Sequence, residues 1–180
     1  IMIRVLLFVF GASGLNAVWP LSEVIAYLAG AGILFGSIMT ILQKNLKRML
    51  AFSSVSQIGY ILMGVALMNP LAFAGALFHV LYHAIMKATL FMVSSHLERQ
   101  EESVDIRDFN DSYRVKYPWT MATFTLAAIS MIGLPPMAGF FSKWMLALGT
   151  IEADHWVLFG VILSSSLLNA VYFFGILEKV

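Results

Sequence analysis

The sequence predicts an all-α integral membrane protein, and three features lead to this prediction. Of the 180 residues, 60% are hydrophobic and only 12% are charged, which is about half of the charged fraction usual in soluble domains. Apolar stretches recur that could cross a bilayer core of about 30 Å, which takes roughly 20 helical residues. Polar segments separate these stretches. We therefore expect one membrane domain over residues 1–180.

Four unbroken apolar segments are long enough to span the membrane. They are residues 24–42, 49–68, 72–95 and 156–177. Residues 1–10 are interpreted as the end of a preceding membrane helix. Because the chain opens without methionine and without a signal-peptide pattern, we expect it to be an excerpt of a longer protein.

A fifth apolar stretch, residues 119–148, contains the sequence GLPP with Gly133, Pro135 and Pro136. As one straight helix it would be about 45 Å long, half again the thickness of the core. The two prolines also remove two backbone donors and break a helix. The sequence therefore predicts a discontinuous helix, so that the fold has about five membrane helices and the end of a sixth.

The cations outside the predicted spans all fall on one side of the membrane. They are Arg4, Lys44, Lys47, Arg48, Arg99, Arg107, Arg114, Lys116 and Lys179. By the positive-inside rule this side is the cytoplasm, which places loops 43–48 and 98–118 there, in a cell inner or plasma membrane. The second loop is expected to be a solvated connector or a short surface helix.

Three ionisable residues lie inside the predicted span 72–95. His79, His83 and Lys87 are spaced at i, i+4 and i+8, so on a helix they share one face within about 80° and rise about 6 Å per step. Histidines that bond neighbouring helices and a lysine that reaches the interface are the alternatives. Ionisable residues within a membrane usually mark transport paths, and histidine exchanges protons near neutrality. The pattern favours a proton path.

A metal site is a further alternative, because His-x-x-x-His presents two imidazoles on one helix face. No carboxylate or thiol follows nearby to complete a ligand shell, so no metal is expected. The absence of cysteine excludes cysteine-ligated iron–sulfur clusters, disulfides and thiol catalysis on this chain. We expect no cofactor and no redox catalysis on it. The net charge of +1 gives no indication of a nucleic-acid partner.

Lys143 lies seven residues beyond Pro136. Breaks in membrane helices are tolerated where they line a cavity and often mark transport sites, so Lys143 is assigned to the proton path, with an interfacial position beside Trp144 as the alternative. Other polar residues on the spans are expected to support the path, although such residues more commonly join helices. The supporting set is Ser53, Ser56, Gln57, Thr123, Ser142 and Asn169.

Three segments carry a resemblance to a known family. They are LKRMLAFSSVSQIGYILMG at 46–64, FHVLYHAIMKATLF at 78–91 and GLPPMAGFFSKWML at 133–146. In order and spacing they resemble the antiporter-like, proton-conducting membrane subunits of respiratory complex I, membrane-bound hydrogenases and Mrp-type cation/proton antiporters. The resemblance covers essentially the whole chain.

The resemblance implies a fourteen-helix subunit with two inverted five-helix repeats. This chain would be the end of the eighth helix and the ninth to thirteenth, which form the second repeat. His79, His83 and Lys87 match the hydrophilic axis on the eleventh helix, and Lys143 matches the residue on the broken twelfth helix near the outer exit. Because the first repeat is missing, the chain by itself is not expected to pump.

Three functions follow from these interpretations. The first is proton translocation as a subunit of a redox-driven complex, of the NADH:quinone oxidoreductase or membrane-bound hydrogenase type. The second is a subunit of an Mrp-type Na+/H+ antiporter. The third is a structural membrane subunit without transport, which the retained ionisable residues disfavour. The expected partners are other membrane subunits, protons, the lipid bilayer and, for the second function, Na+.

Overall fold

The computed structural model describes residues 19–101 and 105–179, and these residues form seven α-helices. The helices are α1 (Trp19–Ile41), α2 (Leu46–Ala66), α3 (Pro70–Gln100), α4 (Asp111–Lys116), α5 (Pro118–Ile132), α6 (Ala138–Glu152) and α7 (Trp156–Leu177). Helices α1, α2, α3 and α7 are long and apolar enough to cross a membrane. The four unbroken spans predicted from the sequence are confirmed. The predicted tail at residues 1–10 and Arg4 lie outside the described residues.

Two asparagines set where the central helices begin. The Asn45 side chain accepts hydrogen bonds from the backbone N–H groups of Lys47 and Arg48, so α2 starts at Leu46 rather than at residue 49. Asn69 caps α3 in the same way, and Pro70 occupies its first turn. Asparagine satisfies N–H groups that have no partner in the first turn, and proline tolerates that turn because its missing N–H is not needed there.

Helix α3 is longer than the predicted span 72–95, because it continues to Gln100. Its 31 residues correspond to about 46 Å, so its end projects beyond a core of about 30 Å. The last turns are polar but contain good helix formers, and Glu98 forms an ion pair with Lys47 of α2. Hydropathy marked only the apolar part of this helix.

The predicted break in the fifth stretch is confirmed. Helix α5 ends at Ile132, Gly133 adopts a left-handed conformation with φ 90°, and α6 begins at Ala138. The Pro135–Pro136 peptide bond is cis. Each half has 15 residues, or about 22 Å of helix, which is too short to cross the core alone. The two halves together replace one spanning helix.

Small residues allow the helices to approach closely. A Cβ atom on Gly36 would lie 2.6 Å from the backbone nitrogen of Ser56, and one on Gly149 would lie 2.7 Å from that of Ala72. These positions join α1 to α2 and α6 to α3. Close backbone approach through small residues is a common way of packing membrane helices. Helix α3 packs against α2, α5 and α6, which places its ionisable face inside the bundle.

The loops that carry the cations meet at one end of the bundle. The backbone N–H of Ile106 donates to the carbonyl of Lys44 at 2.7 Å, and Lys179 Nζ donates to the carbonyl of Ile106 at 3.2 Å. At the other end, Asn69 donates to Glu152 at 2.9 Å. In the described part of the chain, the loops that carry cations therefore lie on one side of the bundle, as the sequence predicted.

The loop after α3 contains the short helix α4, as predicted, but it is more than a solvated connector. Phe109 and Tyr113 are buried in the core that α2, α3, α5 and α7 share at this end. Glu101 accepts hydrogen bonds from Lys116 Nζ at 2.7 Å and from the Tyr117 hydroxyl at 3.0 Å. The buried side chains of Phe109 and Tyr113 hold the loop against the end of the bundle. The hydrogen bonds of Glu101 with Lys116 and Tyr117, called the Glu101 clasp below, also hold it there.

Candidate functional site

Lys87 is buried between α3 and α2. The residue is 6% exposed, and its ammonium group donates to the carbonyl of Leu50 at 2.6 Å and to the hydroxyl of Ser53. The ammonium also lies 5.9 Å from the ring centroid of Phe91. The alternative in which Lys87 reaches the interface is wrong, because the side chain turns inward to acceptors on α2.

His79 lies two turns before Lys87 on the same face of α3 and is also buried. Its Nε2 lies 2.9 Å from Oε1 of Gln57 on α2, and its Nδ1 lies 3.0 Å from Oγ of Ser142 on α6. Because an amide oxygen only accepts hydrogen bonds, Nε2 donates and Nδ1 of the neutral ring accepts from the hydroxyl. His79 therefore joins α2 to the helix that carries Lys143.

His83 lies between His79 and Lys87. Its ring stacks parallel to that of His79, with centroids 6.2 Å apart and an interplanar angle of 4°. Its Nε2 is buried and has no hydrogen-bond partner among the described residues. The three ionisable residues thus lie in a row along one face of α3, as the sequence predicted.

Lys143 lies at the helix break and is 5% exposed. Its ammonium donates to the carbonyls of Met131 at 2.9 Å and Ile132 at 3.0 Å, and it lies 5.5 Å from the ring centroid of Tyr60. Carbonyls in the last turn of a helix lack partners within the helix, and the negative end of the helix dipole favours a cation there. The interfacial alternative for Lys143 is wrong.

The break and Lys143 belong to one structural unit. The left-handed turn at Gly133 ends α5, and Gly139 packs so closely on α5 that a Cβ atom there would lie 2.0 Å from the carbonyl oxygen of Ser130. This contact brings the first turn of α6 beside the last turn of α5. Sequence reasoning placed Lys143 near the break but did not anticipate that the lysine itself bonds the carbonyls that the break exposes.

A second polar group lies where α7 meets α1 and α2. Ser165 and Ser37 share a hydrogen bond of 2.7 Å, and the Tyr172 hydroxyl donates to Oδ1 of Asn169 at 2.7 Å. Tyr60, which the sequence analysis did not single out, donates to the carbonyl of Ile162 at 3.3 Å. Its position one turn after Gln57 on the polar face of α2 was the signal that could have identified it.

The supporting residues divide into two classes. Ser53, Ser56, Gln57, Ser142 and Asn169 are buried in the bundle. Thr123, in contrast, is exposed, and its hydroxyl donates to the carbonyl of Trp119 in its own helix at 2.8 Å. Its assignment to the path is not supported, because a threonine in a membrane helix can satisfy its hydroxyl locally.

Carboxylates are absent from the polar interior in the part of the chain that the structure describes. At the end of the bundle that carries the cations, acidic residues form the ion pairs Lys47–Glu98, Arg107–Asp105 and Lys116–Glu101. Residues 19–101 and 105–179 contain no cluster of three His, Cys, Asp or Glu side chains suited to a metal ion. Dipoles and aromatic rings therefore surround both membrane lysines.

The sequence matches a family model described as "NADH:quinone oxidoreductase/Mrp antiporter, TM" over residues 1–169. The chain belongs to this family. Membership confirms the resemblance inferred from the three segments, and it agrees with the all-helical, multi-pass membrane fold described above.

Individual members of the family are similar over most of this chain. NADH-quinone oxidoreductase subunit N of Desulforudis audaxviator is 51% identical over 176 residues, which cover 98% of this chain and 34% of that protein. A Na(+)/H(+) antiporter subunit of Alkalihalophilus pseudofirmus is 34% identical over 81% of this chain and 29% of that protein. The chain thus spans about a third of the length of these relatives.

The fold is similar to that of a chain in the Mrp complex from Dietzia sp. DQ12-45-1b. The TM-score is 0.84 at 25% sequence identity, and the match covers 94% of this chain and 34% of that one. The covered fraction is again about a third.

Proposed function

We propose that this chain is part of a proton-translocating membrane subunit in a redox-driven respiratory complex, and that Lys87, His83, His79 and Lys143 form its proton path. The observation that supports the proposal is the row of Lys87, His83 and His79 on α3, in which His79 bonds both α2 and the helix that carries Lys143. The 51% identical relative is a NADH-quinone oxidoreductase subunit N, which favours a redox-driven complex.

The hydrogen-bonding capacity of these residues suits proton exchange. An ammonium donates three hydrogen bonds, whereas the neutral amine donates two and accepts one, so either form can use the carbonyl and hydroxyl groups around it. A proton released by Lys87 can bind His83, and neutral histidine carries one donor and one acceptor nitrogen. His79 can then take up a proton at Nδ1, its acceptor nitrogen, and release it again on the side of Ser142 and Lys143.

The distribution of cations supports an orientation of the path in the membrane. We propose that the end carrying the described lysines and arginines faces the cytoplasm, by the positive-inside rule, in a cell inner or plasma membrane. Helix α6 runs from the break towards Glu152, which lies at the opposite end with Asn69. Protons would enter near Lys87 and leave beyond Lys143. The expected partners are the other membrane subunits and the lipid bilayer, with no nucleic acid and no cofactor on this chain.

The second candidate function is Na+/H+ exchange in an Mrp-type antiporter. It is favoured by the 34% identical relative, which is a subunit of an Na(+)/H(+) antiporter, and by the fold shared with a chain of an Mrp complex. The same residues would then conduct the protons that are exchanged for Na+. In that case transport would require sodium and would proceed without an electron donor.

Proton pumping in inverted membrane vesicles tests the proposal, with the full-length subunit in its complex. Lys87→Ala and Lys143→Ala are expected to abolish acidification driven by the electron donor of the complex while native gels show normal assembly. Lys44→Ala is the matched control, because this exposed lysine lies outside the row. Normal pumping in either path variant would contradict the path. Acidification that requires sodium and no electron donor would favour the antiporter.

A further inference from the structure

Asn169 on α7 has a buried amide of which only one end is bonded. The residue is fully buried, and Oδ1 accepts a hydrogen bond from the Tyr172 hydroxyl at 2.7 Å. Nδ2 is buried and has no partner among the described residues. Turning the amide over would only exchange the two ends, because the single hydroxyl can bond one of them.

The bonded end of this amide lies in the core that also holds the acceptors of Lys87. Tyr172 belongs to the same buried cluster as Leu50, and Lys87 donates to the carbonyl of Leu50 and to the hydroxyl of Ser53. Ser53 also bonds the carbonyl of Leu50 at 3.0 Å, which is the second acceptor of Lys87. Asn169, through Tyr172, therefore borders the same buried core as the acceptors of the lysine.

The other end of the amide is near a second polar group. Ser165 precedes Asn169 by one helical turn, or about 6 Å along α7, and both residues are buried. The Ser165 hydroxyl bonds Ser37 at 2.7 Å, and the Tyr60 hydroxyl donates to the carbonyl of Ile162, about one turn before Ser165 on α7, at 3.3 Å. The ring of Tyr60 contacts both His79, with centroids 5.5 Å apart, and the ammonium of Lys143, 5.5 Å from its centroid.

We propose that Asn169 holds an internal water molecule that joins the hydrogen-bonded pair of Asn169 and Tyr172 to the pair of Ser165 and Ser37. Buried amide N–H groups in folded proteins nearly always have a partner, and where side chains supply none, interior water bonded to two to four polar groups is the usual one. Nδ2 of Asn169 and the hydroxyl of Ser165 provide two such groups. Asn169 is then a positioning residue through which α7 supports the proton path.

The inference rests on the proposed function, and its first test is independent of transport. A high-resolution structure of the assembled complex is expected to show an ordered water within hydrogen-bonding distance of Asn169 Nδ2, and Asn169→Leu is expected to remove it. A packed apolar contact on Nδ2, with no water, would overturn the proposal. This result does not depend on whether Lys87 and Lys143 carry protons.

The second test separates hydration from packing. Asn169→Leu fills the site without a donor and is expected to lower the rate of proton pumping in the assembled complex. Asn169→Ser leaves more space but keeps a hydroxyl, and it is expected to retain pumping. The exposed Ser164 on the same helix gives the control Ser164→Ala, for which no change is expected.

The outcomes distinguish the two proposals. If packing alone mattered, Asn169→Ser would impair pumping at least as much as Asn169→Leu, and the role in transport would be overturned. If the serine variant pumps normally and the leucine variant does not, the water site is supported. Unchanged pumping in Lys87→Ala and Lys143→Ala would contradict the proposed function, while the ordered water would still decide whether the site exists.

Discussion

The ammonium nitrogen of Lys143 lies 2.9 Å from the carbonyl oxygen of Met131, across the break between α5 and α6. The same group bonds the next carbonyl, that of Ile132, at 3.0 Å. One side chain thus satisfies two acceptors that the broken helix leaves open in an apolar environment, where unsatisfied backbone groups cost several kcal/mol each. Lys143 has a structural task in addition to its proposed role in transport.

Lys143→Arg separates these two tasks. Arginine keeps the cation and the donors that the carbonyls of α5 need, but it does not release its proton in proteins. We therefore expect a complex that assembles normally on native gels and does not pump in vesicles. Lys44→Arg, at an exposed position, is the control for the substitution itself. Normal pumping by Lys143→Arg would show that Lys143 acts only as a fixed cation at the break.

His79→Phe tests the bridge between the two lysines. Phenylalanine keeps an aromatic ring beside Tyr60 but removes both nitrogens, so Gln57 and Ser142 lose the bonds of 2.9 and 3.0 Å. We expect pumping to fall roughly 100-fold, the lower end of what a positioned proton-transfer group contributes. Stability should fall by about 1–3 kcal/mol, because buried polar groups lose a partner.

The matched control is Tyr82→Phe on the same helix. Tyr82 stacks on Phe78, with centroids 6.0 Å apart, and its hydroxyl lies outside the row of ionisable residues. Pumping should remain at the level of the unsubstituted protein. If Tyr82→Phe and His79→Phe reduce pumping equally, the loss reflects the packing of α3 and the bridge has no specific role.

Gly139→Ala tests the contact that holds the break closed. The added methyl carbon would lie 2.0 Å from the carbonyl oxygen of Ser130, so the backbones of α5 and α6 must separate. We expect a loss of about 1–3 kcal/mol from overpacking, seen as a lower melting temperature of the detergent-purified complex. At Gly160 a Cβ atom would meet nothing within 4 Å, so Gly160→Ala should leave stability equal or higher, since alanine favours a helix. Equal melting temperatures for the two variants would argue against a tight α5–α6 contact.

The Glu101 clasp is expected to stabilise the folded loop over a limited pH range. The hydrogen bond from Lys116, followed by that from Tyr117, lowers the pKa of Glu101 below its usual value of 4.5. The bond to Glu101 raises the pKa of Lys116 to about 12. A lowered carboxyl pKa stabilises the folded loop above pH 4.5 and loses this effect as the pH falls through the lowered value. A raised lysine pKa stabilises it below its usual value of 10.5 and loses this effect as the pH rises through about 12.

Hydrogen exchange of the α4 amides measures this clasp. After correction for intrinsic rates, protection should stay constant from about pH 5 to 10 and decrease below about pH 4. Glu101→Gln should reduce protection at neutral pH and weaken its dependence on acid. Arg114→Gln, at an exposed position, is the control. A Glu101→Gln protein with unchanged protection would show that Phe109 and Tyr113 hold the loop without help from the clasp.

Several features of the fold followed from local sequence. The apolar lengths predicted four spanning helices, and the GLPP sequence predicted the break between α5 and α6. Helix ends were less well predicted. Helix α3 extends five residues past its predicted end, because hydropathy identifies the apolar residues of a span and not the polar helical turns that follow them. The distribution of cations predicted that their loops share one side, and contacts of Ile106 with Lys44 and Lys179 agree.

The sequence predicted those parts of the candidate site that lie within a single helix, but not the contacts between helices. The spacing of His79, His83 and Lys87 placed them on one face, because helical periodicity is a local property. Thr123 was assigned to the path because it lies on the broken span. In the structure, however, its hydroxyl donates to the carbonyl of Trp119 in the same helix. Tyr60 was overlooked because its hydroxyl meets α7, a contact between residues 102 positions apart.

The sequence by itself determined the membrane class, the helical spans, the break at Gly133 and the row of ionisable residues on α3, because hydropathy and periodicity act over a few turns. The tertiary structure alone decided which groups those residues meet: Lys87 with Leu50 and Ser53, His79 between Gln57 and Ser142, and Lys143 on the carbonyls of α5. These contacts depend on how helices distant in the chain pack together. That packing is set by close-approach positions such as Gly36, Gly139 and Gly149.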